Sequence, residues 1–71
     1  MITRIEMLRK KKGVSLRTMS KQMGIHFTRI FRHEKRKEML FPGDVKRYSD
    51  FFGIETEGIA DAEGFARLVE E

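Results

Sequence analysis

Between Phe27 and Lys37 the sequence reads FTRIFRHEKRK, and the spacing of its side chains is its most informative feature. On a helix, Phe27, Thr28, Phe31 and Arg32 fall at i, i+1, i+4 and i+5 and share one side, while Ile30 and His33 fall on the other. The shared side combines two phenyl rings, a hydroxyl and a guanidinium able to donate paired hydrogen bonds. Lys35, Arg36 and Lys37 follow at once. Two readings meet here. The rings close a small core, because aromatics are costly to expose, or they belong to a surface whose partner basic residues also touch.

Other chemistries find no residues to carry them. The 71-residue chain has no cysteine, and its two histidines, His26 and His33, are too few for a zinc site. No nucleophile–base arrangement or Gly-rich phosphate loop is present, so neither an enzyme nor a cofactor or metal is expected. No apolar run approaches a membrane span and no secretory segment is recognisable, so the expected compartment is the cytoplasm, near the nucleoid, with no membrane partner.

The elements that must position these residues read as five helices without a strand, an all-α fold in one domain over 1–71. The first helix is expected over about Thr3 to Lys12, with Ile2, Ile5 and Leu8 on one face and Gly13 ending it. Ser15 is a good N-cap for a second helix with the stripe Leu16, Met19, Met23, followed by Gly24. A third spans about Phe27 to Glu34. A fourth starts near Asp44, carries Val45, Tyr48 and Phe52, and stops at Gly53. The acidic end, about 57–70, reads as a fifth helix with Ile59, Ala62, Phe65, Ala66 and Val69 on one side, weakened by Gly58 and Gly64.

Charge divides the chain. Residues 1–54 hold fourteen Lys and Arg against five carboxylates, whereas residues 55–71 hold Arg67 against six. A basic body favours a polyanion as partner, with the acidic end facing away from it.

Two short helices joined by a few residues beginning with Gly describe a helix-turn-helix over about 16–34. Ser20 is the small residue where the helices approach, and Gly24 takes the positive φ of the turn. Met19, Met23, Ile25 and Ile30 form the shared apolar wedge. With "LRKKKGVS" before it, "TMSKQMGI" and "RIFRHEKRK" as its helices and "VKRYSDFFGI" after it, the chain from Ile5 to about Ile59 resembles the Cro/repressor, or XRE-like, class of DNA-binding domains. That resemblance implies a five-helix bundle that binds a double-stranded DNA operator as a homodimer. It also implies that Arg9 pairs with Glu34 at the end of the recognition helix. The chain departs from the class at Leu16, where a polar residue is usual, and at His26, where Ser or Thr is usual.

In such a fold the side bearing Phe27, Thr28, Phe31 and Arg32 enters the major groove. Arg32 would bond guanine O6 and N7, Thr28 a base edge or phosphate, and the two rings would cover thymine methyls. Arg17, His26, Arg29, Lys35, Arg36 and Lys37 would meet phosphates, which fix register without reading sequence. Helix four and the last helix, with Phe51, Phe52, Ile54, Ile59, Phe65 and Val69, offer a surface for a second copy, unless the last helix only closes its own bundle. With no room for a ligand-sensing domain, control falls to concentration, promoter competition or a protein antagonist. The expected function is a small Cro-like transcriptional regulator. The alternatives are an antitoxin or anti-repressor module that docks a protein through its aromatic helix, a DNA-bending architectural factor, and a restriction–modification controller.

Overall fold

Thr3 begins the ordered architecture by serving two elements at once. In the computed structural model, which describes residues 1–69, its hydroxyl accepts the Glu6 N–H as N-cap of helix α1, Arg4–Lys12, and donates to the Glu34 carbonyl. Helix α2, Leu16–Met23, is capped by Ser15, whose side chain accepts from Thr18 N–H. Helix α3, Phe27–Glu34, follows after three residues, and helix α4, Pro42–Phe52, after a longer loop. Pro42 suits the first turn of α4, where its missing N–H leaves no bond unmade. Asp44 in that turn accepts the Phe41 N–H at 2.9 Å.

The core gathers one face from each helix. Ile5, Met19, Met23, Ile25, Ile30, Leu40 and Tyr48 are buried together, so the wedge expected between α2 and α3 is present. Val45 and Phe52 pack partly buried against it. Ile2, expected on the inner face of the first helix, lies outside it and is exposed.

The expected fifth helix over 57–70 does not form; there are four α-helices among the described residues, and Glu70 lies outside them. After a single 3-10 turn, Thr56–Gly58, the chain makes a tight reversal. Asp61 N–H donates to Phe65 O at 2.8 Å and Arg67 N–H to Ile59 O at 2.9 Å, giving the antiparallel bridge Ala60–Ala66. The returning segment then pairs with the N-terminus: Arg4 N–H donates to Arg67 O and Val69 N–H to Ile2 O, around the bridge Thr3–Leu68.

Local chemistry explains the failure of the helix. The Asp61 carboxylate accepts the N–H groups of Glu63 and Phe65, each at 3.0 Å, which competes with helical bonding. Gly64 takes φ +91°, and a Cβ there would lie 2.9 Å from the Met39 methyl. Ile59 and Ala66 are indeed buried, but across a ribbon rather than along a helix face; Ala62, expected on the same face, is exposed.

Candidate functional site

The turn Gly24–Ile25–His26 sets α3 on α2. Gly24 has φ +74°, and a Cβ there would also press to 3.2 Å from the Arg47 guanidinium. Arg47, reaching from α4, donates to the carbonyls of Met23 and Gly24 at 3.3 and 3.1 Å, satisfying acceptors at the end of α2. Nothing in the sequence spacing pointed to that residue. Ser20 is half-buried, and its carbonyl accepts the Gly24 N–H. His26 caps α3 despite its type, because Nδ1 accepts the Thr28 N–H at 3.2 Å.

The far end of α3 is held more firmly. Arg9 donates through Nε and Nη2 to the two oxygens of Glu34, at 2.6 and 3.1 Å, and through Nη1 to the Val14 carbonyl. The Glu34 side chain is 1% exposed, so it depends on that fork. Its hydrogen bonds to Glu34 raise the Arg9 guanidinium above its ordinary range. The pairing that the resemblance implied is thus present.

Beyond Glu34 the helix closes with a motif usually built on glycine. Arg36 N–H donates to His33 O and Lys37 N–H to Arg32 O, with Arg36 in the left-handed region at φ +56°. A non-glycine residue is strained there. The side chain gives the reason it is tolerated: Nη1 donates to Asp61 at 2.9 Å and to the Ala66 carbonyl at 2.8 Å. Arg36, expected at a phosphate, instead ties the loop to the C-terminal ribbon. Burial would raise Asp61, but Arg36 and the N–H groups of Phe65 and Glu63 outweigh it and hold the carboxyl below its ordinary range.

The inner face of α3 is fully enclosed. His33 is buried and shares a 2.7 Å hydrogen bond with the Tyr48 hydroxyl. Its Nε2 has no hydrogen-bond partner among the described residues; Glu38 and Asp44 stand 3.5 and 3.9 Å away. Burial pushes the imidazole below the ordinary histidine range and the Tyr48 hydroxyl far above that of a phenol. Arg29, also expected at a phosphate, is taken up by Glu38 at 2.9 Å and Asp44 at 2.7 Å. Lys35 reaches Glu6 at 3.2 Å with its side chain partly exposed.

The outer face contrasts with all this. Neither phenylalanine belongs to the core. Phe27 is half-buried in a stack, with the His26 ring 4.6 Å and the Arg17 guanidinium 4.4 Å from its centroid. Phe31 is 43% exposed, with the Lys35 ammonium 5.9 Å from its ring. Thr28 is half-buried between them in sequence, and the Arg32 side chain is 53% exposed, its nearest carboxylate being Glu38 at 3.7 Å. Lys21 and Lys37 are exposed without a carboxylate partner among the described residues. Of the six expected phosphate ligands, then, Arg17, His26 and Lys37 border the outer face or its ends, Lys35 does so while bonded to Glu6, and Arg29 and Arg36 are engaged within the protein.

No family model, curated protein or solved structure matches the chain. The resemblance to the Cro/repressor class therefore rests on the sequence motif residues alone. No helix among the described residues is long and apolar enough to cross a membrane, and no metal-ligand cluster occurs among them.

Proposed function

We propose that the protein is a sequence-specific double-stranded DNA-binding regulator that reads its operator with the outer face of α3. The supporting observation is the asymmetry of that helix. Both its ends and its inner face are fastened to the rest of the molecule, whereas Phe31 and Arg32 are held out, 43% and 53% exposed. Ordering an aromatic and a guanidinium in the open is of use to a partner rather than to the core.

In this reading Arg32 donates to a guanine edge and Phe27 and Phe31 contact thymine methyls, with Thr28 at a base edge or phosphate. Arg17, stacked on Phe27, and Lys37 and Lys35 at the other end of the helix meet the flanking phosphates. A surface this small covers few base pairs, so two copies on neighbouring half-sites are part of the proposal. Because Ile59 and Ala66 are used inside each copy, a dimer would draw on Phe51, Phe52 or the exposed edge at Ile2 rather than on a fifth helix.

The test is an anisotropy titration with duplex DNA from upstream of the protein's own gene against a scrambled duplex, at low and near-physiological salt. Selective binding that survives the higher salt is expected. Equal binding that vanishes with salt would leave only nonspecific attraction between the basic body and phosphate. Absence of duplex binding would turn attention to a protein partner for the exposed Phe31, Met39 and Phe41.

A further inference from the structure

Glu38 lies in the loop between α3 and α4 and faces three side chains of α3. Oε2 accepts from Arg29 Nε at 2.9 Å and lies 3.5 Å from His33 Nε2. Oε1 lies 3.7 Å from Arg32 Nη1, which is too long for a hydrogen bond but well within the range of charge attraction. The carboxylate is 29% exposed and remains charged, because its hydrogen bond to Arg29 holds it below its ordinary range.

We propose that Glu38 is a specificity-determining residue of the α3 surface: its carboxylate sits against Arg29 and Arg32 as a backbone phosphate would, suppressing generic phosphate binding while leaving Arg32 free to reach a base edge. The inference rests on the DNA-reading function proposed above. Its physical basis is the difference between the two competitors for Arg32. A phosphate carries a full negative charge and is repelled by Glu38, so it must displace the carboxylate from both arginines. A guanine edge offers two acceptors and no net charge, and Arg32 has no short bond to break before turning to it. Arg29 is meanwhile withheld from phosphate by Glu38 on one side and Asp44 on the other.

The loop has anchors besides this carboxylate. That loop is anchored separately by Arg36 on Asp61 and Ala66 and by Leu40 N–H on Gly64 O at 2.8 Å. Gln at position 38 keeps an oxygen acceptor for Arg29 and removes only the charge.

The experiment compares wild type, Glu38→Gln and Glu55→Gln on the preferred and scrambled duplexes across a salt series. Glu55 is exposed and lies past the far end of α4 from Glu38, so it controls for a general loss of negative charge. Glu38→Gln is expected to steepen the salt dependence by about one unit. Its scrambled-duplex affinity should then fall about three- to fourfold further than that of wild type between about 50 and about 200 mM salt. Affinity for the scrambled duplex should rise more than for the preferred one, so selectivity drops. Glu38→Met, which removes charge and acceptor together, should show the same slope, and denaturation midpoints show whether each variant is folded. Slopes and selectivity equal to wild type in both folded variants, or the same change from Glu55→Gln, would overturn the role of Glu38 alone. A wild type that binds no duplex at low salt would overturn the DNA-reading function as well.

Discussion

The two faces of α3 are built on opposite terms. Inward, Ile30, His33 and Glu34 are buried, and Glu34 is met by both the Arg9 fork and, at its carbonyl, Thr3. Outward, Phe27 and Phe31 meet the cations of Arg17 and Lys35, Arg32 has Glu38 at 3.7 Å, and the Thr28 N–H bonds to His26. These seven residues of α3 divide between those that fix the helix and those that the helix presents, and the eighth, Arg29, is taken up by Glu38 and Asp44. Substitution on one side should act on stability and on the other on recognition, and that separation can be attacked directly.

The largest effect is expected from Arg9→Ala. It strands a carboxylate that is 1% exposed, and should lower unfolding free energy by about 3–5 kcal/mol in a denaturant titration. An unchanged midpoint would mean that the inner face is not what fastens the helix. Arg32→Ala is the counterpart. It should leave the denaturation midpoint within about 0.5 kcal/mol of wild type, yet remove about 1–3 kcal/mol of discrimination at one base pair of each half-site.

Arg36 sharpens the boundary at the helix end. Arg36→Gly relieves the φ +56° strain and should be more stable than Arg36→Ala by about 1 kcal/mol, since both lose the bonds to Asp61 and Ala66. Equal stabilities would show that the left-handed conformation carries no cost there.

The smallest effect concerns pH. Burial depresses His33 in the folded state, so the unfolded chain binds a proton first as pH falls. Stability should be full above the ordinary histidine value of about 6.5 and decline below it, until the folded imidazole also protonates. Glu6 and Glu38 are held low, Glu6 because Lys10 and Lys35 outweigh its burial and Glu38 through Arg29. They add a second decline as pH falls below their ordinary value of about 4.5. His33→Gln should erase the first decline and leave the second.

Much of this division was readable from residue order. The i, i+3, i+4 pattern separated Ile30 and His33 from the Phe27–Arg32 face, and glycines 13, 24 and 53 mark the ends of α1, α2 and α4 as expected. These signals are local, and local geometry decides them. Partners brought together by the tertiary fold were not readable. Arg29 and Glu38 are nine residues apart and not on one helix, Arg36 and Asp61 twenty-five apart, and Arg47 meets the end of α2 from α4. Cations that look alike in "RIFRHEKRK" therefore divide into the engaged Arg29 and Arg36 and the open Arg32 and Lys37. The acidic end misled for a related reason: apolar spacing at Ile59 and Ala66 fits both a helix face and a ribbon, and Asp61 with Gly64 decides for the ribbon.

The most direct test of the central claim is selection of preferred sites from a random duplex pool, run in parallel on wild type and Arg32→Ala. If the outer face of α3 reads sequence, wild type should enrich a short site containing a G·C pair, and Arg32→Ala should lose the preference at that pair while keeping the rest. Enrichment of an identical site by both proteins, or of none by wild type, would contradict it.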